Sequence, residues 1–266
     1  MLTPWLTSVY RHAAGVIGIA PTMVRTLIQR GVNPQKAHLI YNWALEDSLP
    51  WSHVSEGYLP SRADATRILY GGNIGDMQDL ETAVRAAHQA RDAGIHLTIV
   101  GDGIALSRVR ALVAELGGTN IDFKGRVPRA QMHEFYRVAD YALIALKDLP
   151  TFQGTIPSKF QAALSHGVPV ITTVQGDVRD LVEDLSVGYT ADAEDVNSLE
   201  AAFRAAAAST SNGRAQMAAR ARGAYLDHFS LDAGIAAVEQ ILIDAARSRA
   251  QRAPQTTTKG TAHAAS

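Results

Sequence analysis

The segment TFQGTIPSKFQAALSHGVPVI, residues 151–171, sets a Pro-Ser-Lys triplet between a Gly-Thr turn and a short apolar helix, which ends at Gly167 and runs into a β-branched strand. Pro157 suits a helix's first turn, and the hydroxyls of Thr155 and Ser158 are of the kind that cap free N–H groups. Lys159 then falls in that first turn, where the helix dipole disfavours a cation by about 0.3–1 kcal/mol unless negative charge sits beside it. A phosphate would supply the charge and take the free N–H groups too. The competing reading is a surface lysine that snorkels to water. A second candidate is GGNIG, residues 71–75. Gly71, Gly72 and Gly75 permit positive φ and a close backbone approach to phosphate, Asn73 adds neutral hydrogen bonds, and Asp76 is placed to cap a helix whose N–H groups point the same way. The plainer alternative is a tight turn capped by an aspartate. GDG, residues 101–103, reads equally as a turn before a helix or as a loop presenting Asp102.

Other chemistries are absent from the sequence. The chain contains no cysteine, which removes disulfides, thiolate metal sites and cysteine nucleophiles, and fits a reducing compartment. Nine dispersed histidines form no HExxH or paired spacing, and no Asp-x-Asp occurs, so no metal is expected. Neither a Gly-x-Ser-x-Gly elbow nor a Walker lysine motif is found. Twenty-five basic against twenty-six acidic residues leave a net charge of −1, so no overall field favours nucleic acid, and any anion must be held locally. The stretch MLTPWLTSVYRHAAGVIGIAP is interrupted by Arg11 and His12, short of a membrane span, and lacks the pattern of a signal peptide. A cytoplasmic protein is the expectation.

These candidates need elements to hold them. The apolar β runs RILYGG, HLTIVG, NIDFKG, DYALIAL, VPVITT and VGYT alternate with helical patterns. Leu80, Val84 and Ala87 mark one helical face, and Val109, Leu112, Val113 and Leu116 another. Gly94 and Gly117 are stop signals, and Pro128 can open a third helix with Met132, Phe135 and Ala139 inward. Strands without a wet face, alternating with helices, predict an α/β fold: a Rossmann-like, doubly wound parallel sheet covered on both sides. Its ligands should gather at the carboxyl ends of the strands, where the glycine loops and the 147–159 loop lie. A smaller pattern of the same kind occupies residues 1–43, followed by an aperiodic linker over 44–66. The main domain is expected over 67–225, a C-terminal helix over 226–250 and a disordered tail over 251–266.

YGGNIGDMQDLETAVRAA, TIVGDG, IDFKGRVPRAQMHEFYRVADYALIALKD and TIPSKFQAALSHGVPVITT, in this order and spacing, resemble the C-terminal, donor-binding half of the retaining glycosyltransferases of family 4, which have the two-domain GT-B fold. RGVNPQKAHLIYNW resembles the end of their N-terminal domain. The resemblance implies that roughly 150 residues of an acceptor-binding domain are missing before Met1. The chain then reads as truncated, with residues 1–43 a remnant of that domain and a separately encoded N-terminal half as one conceivable partner.

The resemblance also assigns roles. It sets Gly72, Asn73, Gly75, Thr155, Ser158 and Lys159 near the donor diphosphate, Asp102 along the nucleotide cleft, and Arg126 and Val127 where relatives hold the base. Arg126 either stacks on that base or is simply solvated. Two departures stand out. Asn73, with Gln78 or Asp79, replaces an Arg and a Lys of many relatives. Gly154 and Ala162 stand where the family carries two glutamates, the second of which grips the ribose. Either backbone and Gln161 hold the ribose, or the donor differs, or catalysis has been lost.

The expected function is transfer of a sugar from a nucleotide diphosphate sugar to a hydroxyl acceptor in glycan or cell-envelope polysaccharide synthesis, with Lys159 as the catalytic cation and no cofactor. The acceptor would be a glycan or lipid-linked, which leaves open peripheral association with the inner face of the membrane. The rival is a non-catalytic nucleotide-binding or assembly module built on the same fold. A nucleotide-sugar epimerase shares the architecture, but its histidine and acidic pattern is lacking.

Overall fold

The computed structural model describes residues 3–44 and 65–252. The linker expected over 44–66 lies, apart from its ends, outside the described residues, as does residue 253 onward of the expected tail.

The chain begins with α1 (Thr3–His12), β1 (Val16–Gly18), α2 (Pro21–Gln29) and β2 (Ala37–Leu39), the two strands forming a parallel pair of their own. The larger unit follows as β3 (Thr66–Gly71), α3 (Leu80–Gln89), β4 (Ile95–Val100), α4 (Leu106–Leu116), β5 (Ile121–Gly125), α5 (Met132–Val138), β6 (Tyr141–Ile144), α6 (Ser158–Ser165), β7 (Val170–Thr172), α7 (Asp177–Asp184) and β8 (Gly188–Thr190). Helices α8 (Val196–Ala208), α9 (Ser211–Ala224) and α10 (Leu231–Arg252) complete it.

All six apolar runs read from the sequence are strands of one parallel sheet in the order β5-β4-β3-β6-β7-β8. All six residues of β4 and all four of β6 are buried. Alternate residues feed two cores: Ile68, Tyr70, Leu97 and Ile99 pack with α3, α4 and α8, whereas Leu69, Val100, Ala142 and Ile144 pack with Phe160, Leu164 and Val178. This is the doubly wound arrangement, and its strand order reverses between β3 and β6. The carboxyl ends of those two strands therefore diverge and open a crevice, since their crossovers run to opposite sides of the sheet.

Local details differ from expectation where tertiary contacts override the pattern. Asp76 does not cap α3. It opens a short 3₁₀ turn, Asp76–Gln78, and its carboxylate pairs with Arg108 at 2.8 Å. The left-handed Asp79 (φ 47°) then redirects the chain into α3. The expected helix over 226–250 is also displaced. A π-helical turn over Tyr225–Phe229 ends at the extended Ser230, whose hydroxyl oxygen accepts from Ala233 N–H at 3.1 Å, and α10 starts only at Leu231.

The small β1/α2/β2 unit is tied to the main one by a buried carboxylate. Asp177, 1% exposed, accepts from Thr22 N–H at 2.9 Å and from the Thr22 hydroxyl at 2.7 Å, while the Arg25 guanidinium lies 3.3 Å away. Helix α2 has no side-chain cap of its own. Asp177 satisfies one of its orphan N–H groups from across the interface.

Candidate functional site

A cavity of about 1170 Å³ opens at the reversal point of the sheet. It is large enough for a nucleotide with its attached group. Its wall combines the loop after β3 (Gly71, Gly72, Asn73, Gln78), the loop after β4 (Gly101, Asp102), the loop after β5 (Arg126, Val127) and one face of α6 (Ser158, Lys159, Ala162, His166).

Loop packing sets the first part. Gly72 (φ +144°) and Gly101 (φ +146°) face one another so closely that a Cβ on Gly101 would stand 1.8 Å from the Gly72 carbonyl oxygen. No other residue lets these two loops meet. Most amides of the glycine loop are used internally: Gly72 N–H donates to Val100 O (2.9 Å), Ile74 N–H to Asp102 O (2.8 Å) and Gly75 N–H to Gln78 Oε1 (3.0 Å). The expected cradle of several free amides is thereby reduced. Of residues 72–75, only Asn73 keeps an N–H without a partner among the described residues.

Helix α6 supplies the second part. Pro157 is its N-cap, without a side-chain cap, and Phe160 N–H closes onto Pro157 O at 2.9 Å. The N–H groups of Ser158 and Lys159 have no partner among the described residues. The Lys159 side chain reaches back over Gly72: a Cβ built there would lie 3.5 Å from Nζ. Nζ donates to the Tyr70 hydroxyl at 3.1 Å and lies 4.2 Å from the centre of that ring, and the hydroxyl in turn donates to Asn73 O at 2.5 Å. No carboxylate among the described residues pairs with Lys159. Burial lowers its pKa to about 8, and burial of Tyr70 raises that phenol's pKa, so the tyrosine stays protonated. The result is a partly desolvated ammonium, held in place by a neutral hydroxyl, with two free amides at its own helix start and a third on the facing loop. That arrangement can take an oxyanion or a diphosphate.

The structure thus gathers Gly72, Asn73, Asp102, Arg126, Val127, Ser158 and Lys159 on one wall. It leaves Gly75, Thr155 and Gln161 off that wall. The Gly75 amide is occupied by Gln78, and the Thr155 hydroxyl donates to Thr151 O at 2.9 Å instead of capping α6. Gln161 is 3% exposed because it stands about 100° around the helix from Ala162, the residue that does face the cavity. Sequence reasoning passed over Tyr70, Tyr136 and His166. Tyr70 was detectable as the one hydroxyl-bearing residue of RILYGG, and His166 lies at i+4 from Ala162 and i+7 from Lys159, on the same helical face.

A parallel sheet in this order, with a nucleotide-sized cleft at its reversal point, is the doubly wound arrangement of nucleotide-binding domains. The model of the family "Glycosyl transferases group 1" matches residues 58–224, and the chain belongs to that family. It is 24% identical over 220 residues to the putative colanic acid biosynthesis glycosyl transferase WcaI of Escherichia coli K12, covering 77% of this chain and 52% of that protein. It is 20% identical over 186 residues to the probable glycosyltransferase WbjE of Pseudomonas aeruginosa, covering 68% and 46%. The chain thus spans about half the length of these curated relatives. Among solved structures, Anabaena Alr3699/HepE in complex with UDP superposes with a TM-score of 0.69 at 15% identity, over 92% of this chain and 66% of that one. A glycosyltransferase from Rickettsia africae ESF-5 gives 0.70 at 13% identity, over 91% and 66%.

Proposed function

We propose that this chain is the donor-binding half of a retaining family 4 glycosyltransferase, which transfers a sugar from a nucleotide diphosphate sugar to a hydroxyl acceptor during glycan or cell-envelope polysaccharide synthesis. The observation that carries this reading is the convergence of the Lys159 ammonium on Gly72, across the crevice from its own helix. As the bond from sugar to diphosphate breaks, negative charge grows on the departing diphosphate. A preorganised cation with free amides stabilises that charge without a strong nucleophile. No metal is required by this scheme, and the glycosyl transferase names of WcaI and WbjE and the UDP complex of HepE support a nucleotide-sugar donor.

The acceptor side belongs to a second domain, on the same chain or on a separate one. It would pack on the β1/β2 unit, whose Ile17, Ile19 and Leu39 are each about two-fifths exposed. Two strands alone do not make a stable sheet. Work at the cytoplasmic face of the membrane, with peripheral association, fits a lipid-linked acceptor. No helix of the described residues is long and apolar enough to cross a membrane.

Calorimetric titration with UDP, GDP and ADP tests the donor site, and donor hydrolysis or transfer by the complete two-domain protein tests the activity. Binding of one diphosphate with slow turnover in the complete protein is the expected result. A second reading, a non-catalytic nucleotide-binding module, is favoured by the methyl of Ala162 on the cavity wall, at the position where the family resemblance implies a glutamate. Diphosphate binding with no transfer or hydrolysis would select it. Absence of binding to all three would falsify the donor site.

A further inference from the structure

His166 also faces the cavity, and the scheme above does not use it. Its ring stacks on Tyr136, with centroids 4.8 Å apart and planes 20° apart, which fixes its orientation. Nδ1 lies 2.8 Å from Ala162 O and 3.0 Å from Ser165 Oγ. The carbonyl can only accept. Ser165 donates its own proton to the same Ala162 oxygen at 2.8 Å, so its hydroxyl oxygen also acts as acceptor toward the ring. Both neighbours accept, and Nδ1 must therefore carry the proton. In the neutral ring Nε2 is then a bare lone pair. Burial lowers the pKa of His166 against the raising effect of its bond to Ala162 O, with His133 and Arg222 adding to the lowering, which favours the neutral ring at pH 7. Nε2 has no hydrogen-bond partner among the described residues.

The surrounding wall is rich in donors: the Arg126 guanidinium, the Lys159 ammonium and the free amides of Ser158 and Asn73. An acceptor held in such a wall calls for a donor on the ligand. Along α6, His166 stands seven residues past Lys159, about 10 Å further on. With phosphoryl groups at the helix start, that distance is beyond the diphosphate and within the span of the sugar ring attached to it. Resting on the nucleotide reading above, we infer that His166 accepts, through Nε2, a hydrogen bond from a ribose hydroxyl of the bound nucleotide.

The test compares UDP, GDP and ADP with their 2′-deoxy and 3′-deoxy counterparts by calorimetry, on the wild-type chain and on His166→Ala and His166→Phe. The phenylalanine keeps the stack on Tyr136 and lacks the acceptor, so it decides the matter if the alanine variant does not fold. The expected result is a preference of about five- to tenfold for the ribonucleotide over one deoxy form in the wild type, abolished in both variants. His166→Gln, whose amide oxygen reaches the place of Nε2, should restore part of it. A wild type indifferent to both hydroxyls, or variants that keep the preference, overturn the role of His166 and leave the nucleotide site standing. If the wild type binds none of the three ribonucleotides, the site and this role fall together.

Discussion

Helices α2 and α6 both begin without a side-chain cap, and they are completed differently. At α2, Pro21 occupies the first turn, and the fold brings in Asp177 to take the Thr22 amide and hydroxyl, with the Arg25 guanidinium alongside. At α6, Pro157 is followed by the free amides of Ser158 and Lys159, a serine hydroxyl and an ammonium, with no carboxylate. Amide, hydroxyl and cation recur in both places. The difference teaches that the same set closes on an internal anion where the chain provides one, and stays open for an external anion where it does not. The α2 junction is thus an internal standard for what α6 can hold.

Removing the internal anion should have the largest effect. Asp177→Ala deletes three hydrogen bonds to a buried carboxylate and leaves the start of α2 uncapped, so urea denaturation should show a loss of about 2–3 kcal/mol. Affinity for a nucleoside diphosphate should change by less than about twofold, because the two helix starts are separate sites. An equal loss of nucleotide affinity would break the comparison by showing that Asp177 serves the cavity.

On the proposed function, Lys159→Ala in the complete protein should lower turnover about tenfold or more, while its effect on the stability of the unliganded chain is small or favourable. Unchanged kinetics would remove the proposed stabiliser of the leaving group.

The pH dependence sharpens the contrast further. The Lys159 pKa, about 8, lies below its unfolded value. Between pH 8 and about 10.5 the unfolded chain then binds more protons, and the unliganded protein gains stability as pH rises through that window. A bound diphosphate reverses the bias and raises the pKa. Binding near pH 8 should therefore take up a fraction of a proton, measurable in calorimetric buffers of different ionisation enthalpy, and affinity should decline above pH 8. Binding without proton uptake would place the anion elsewhere.

Smaller is Thr22→Val, which removes the hydroxyl that donates to Asp177 and accepts from Arg25 and should cost about 1 kcal/mol in the same denaturation measurement. Arg25, about three-fifths exposed, should matter less still.

Much of this was legible along the chain. All six strands of the main sheet, the faces of α3 and α4, and the left-handed stops at Gly94 (φ 76°) and Gly117 (φ 62°) follow from local periodicity and backbone preference. The Pro-Ser-Lys start of α6 was readable for the same reason, because capping and dipole effects act within one helical turn. The state of the glycine loop was not. Two of its amides are consumed by Val100 and Asp102, partners that only packing of the neighbouring loop brings near, while Gln78 takes the Gly75 amide from three residues away.

What the sequence by itself determined was therefore the set of elements, their alternation and the chemical character of each loop, since these depend on neighbours a few residues apart. Tertiary structure alone decided that Lys159 rests on Tyr70, 89 residues away, that Asp177 fills the start of α2 from 155 residues away, and that Ala162 rather than Gln161 faces the cavity. Such pairings depend on how strands are ordered and helices rotated in the finished sheet. Once the sheet has closed, the fate of each charge follows from whether a partner of opposite sign has been carried to within about 3 Å of it.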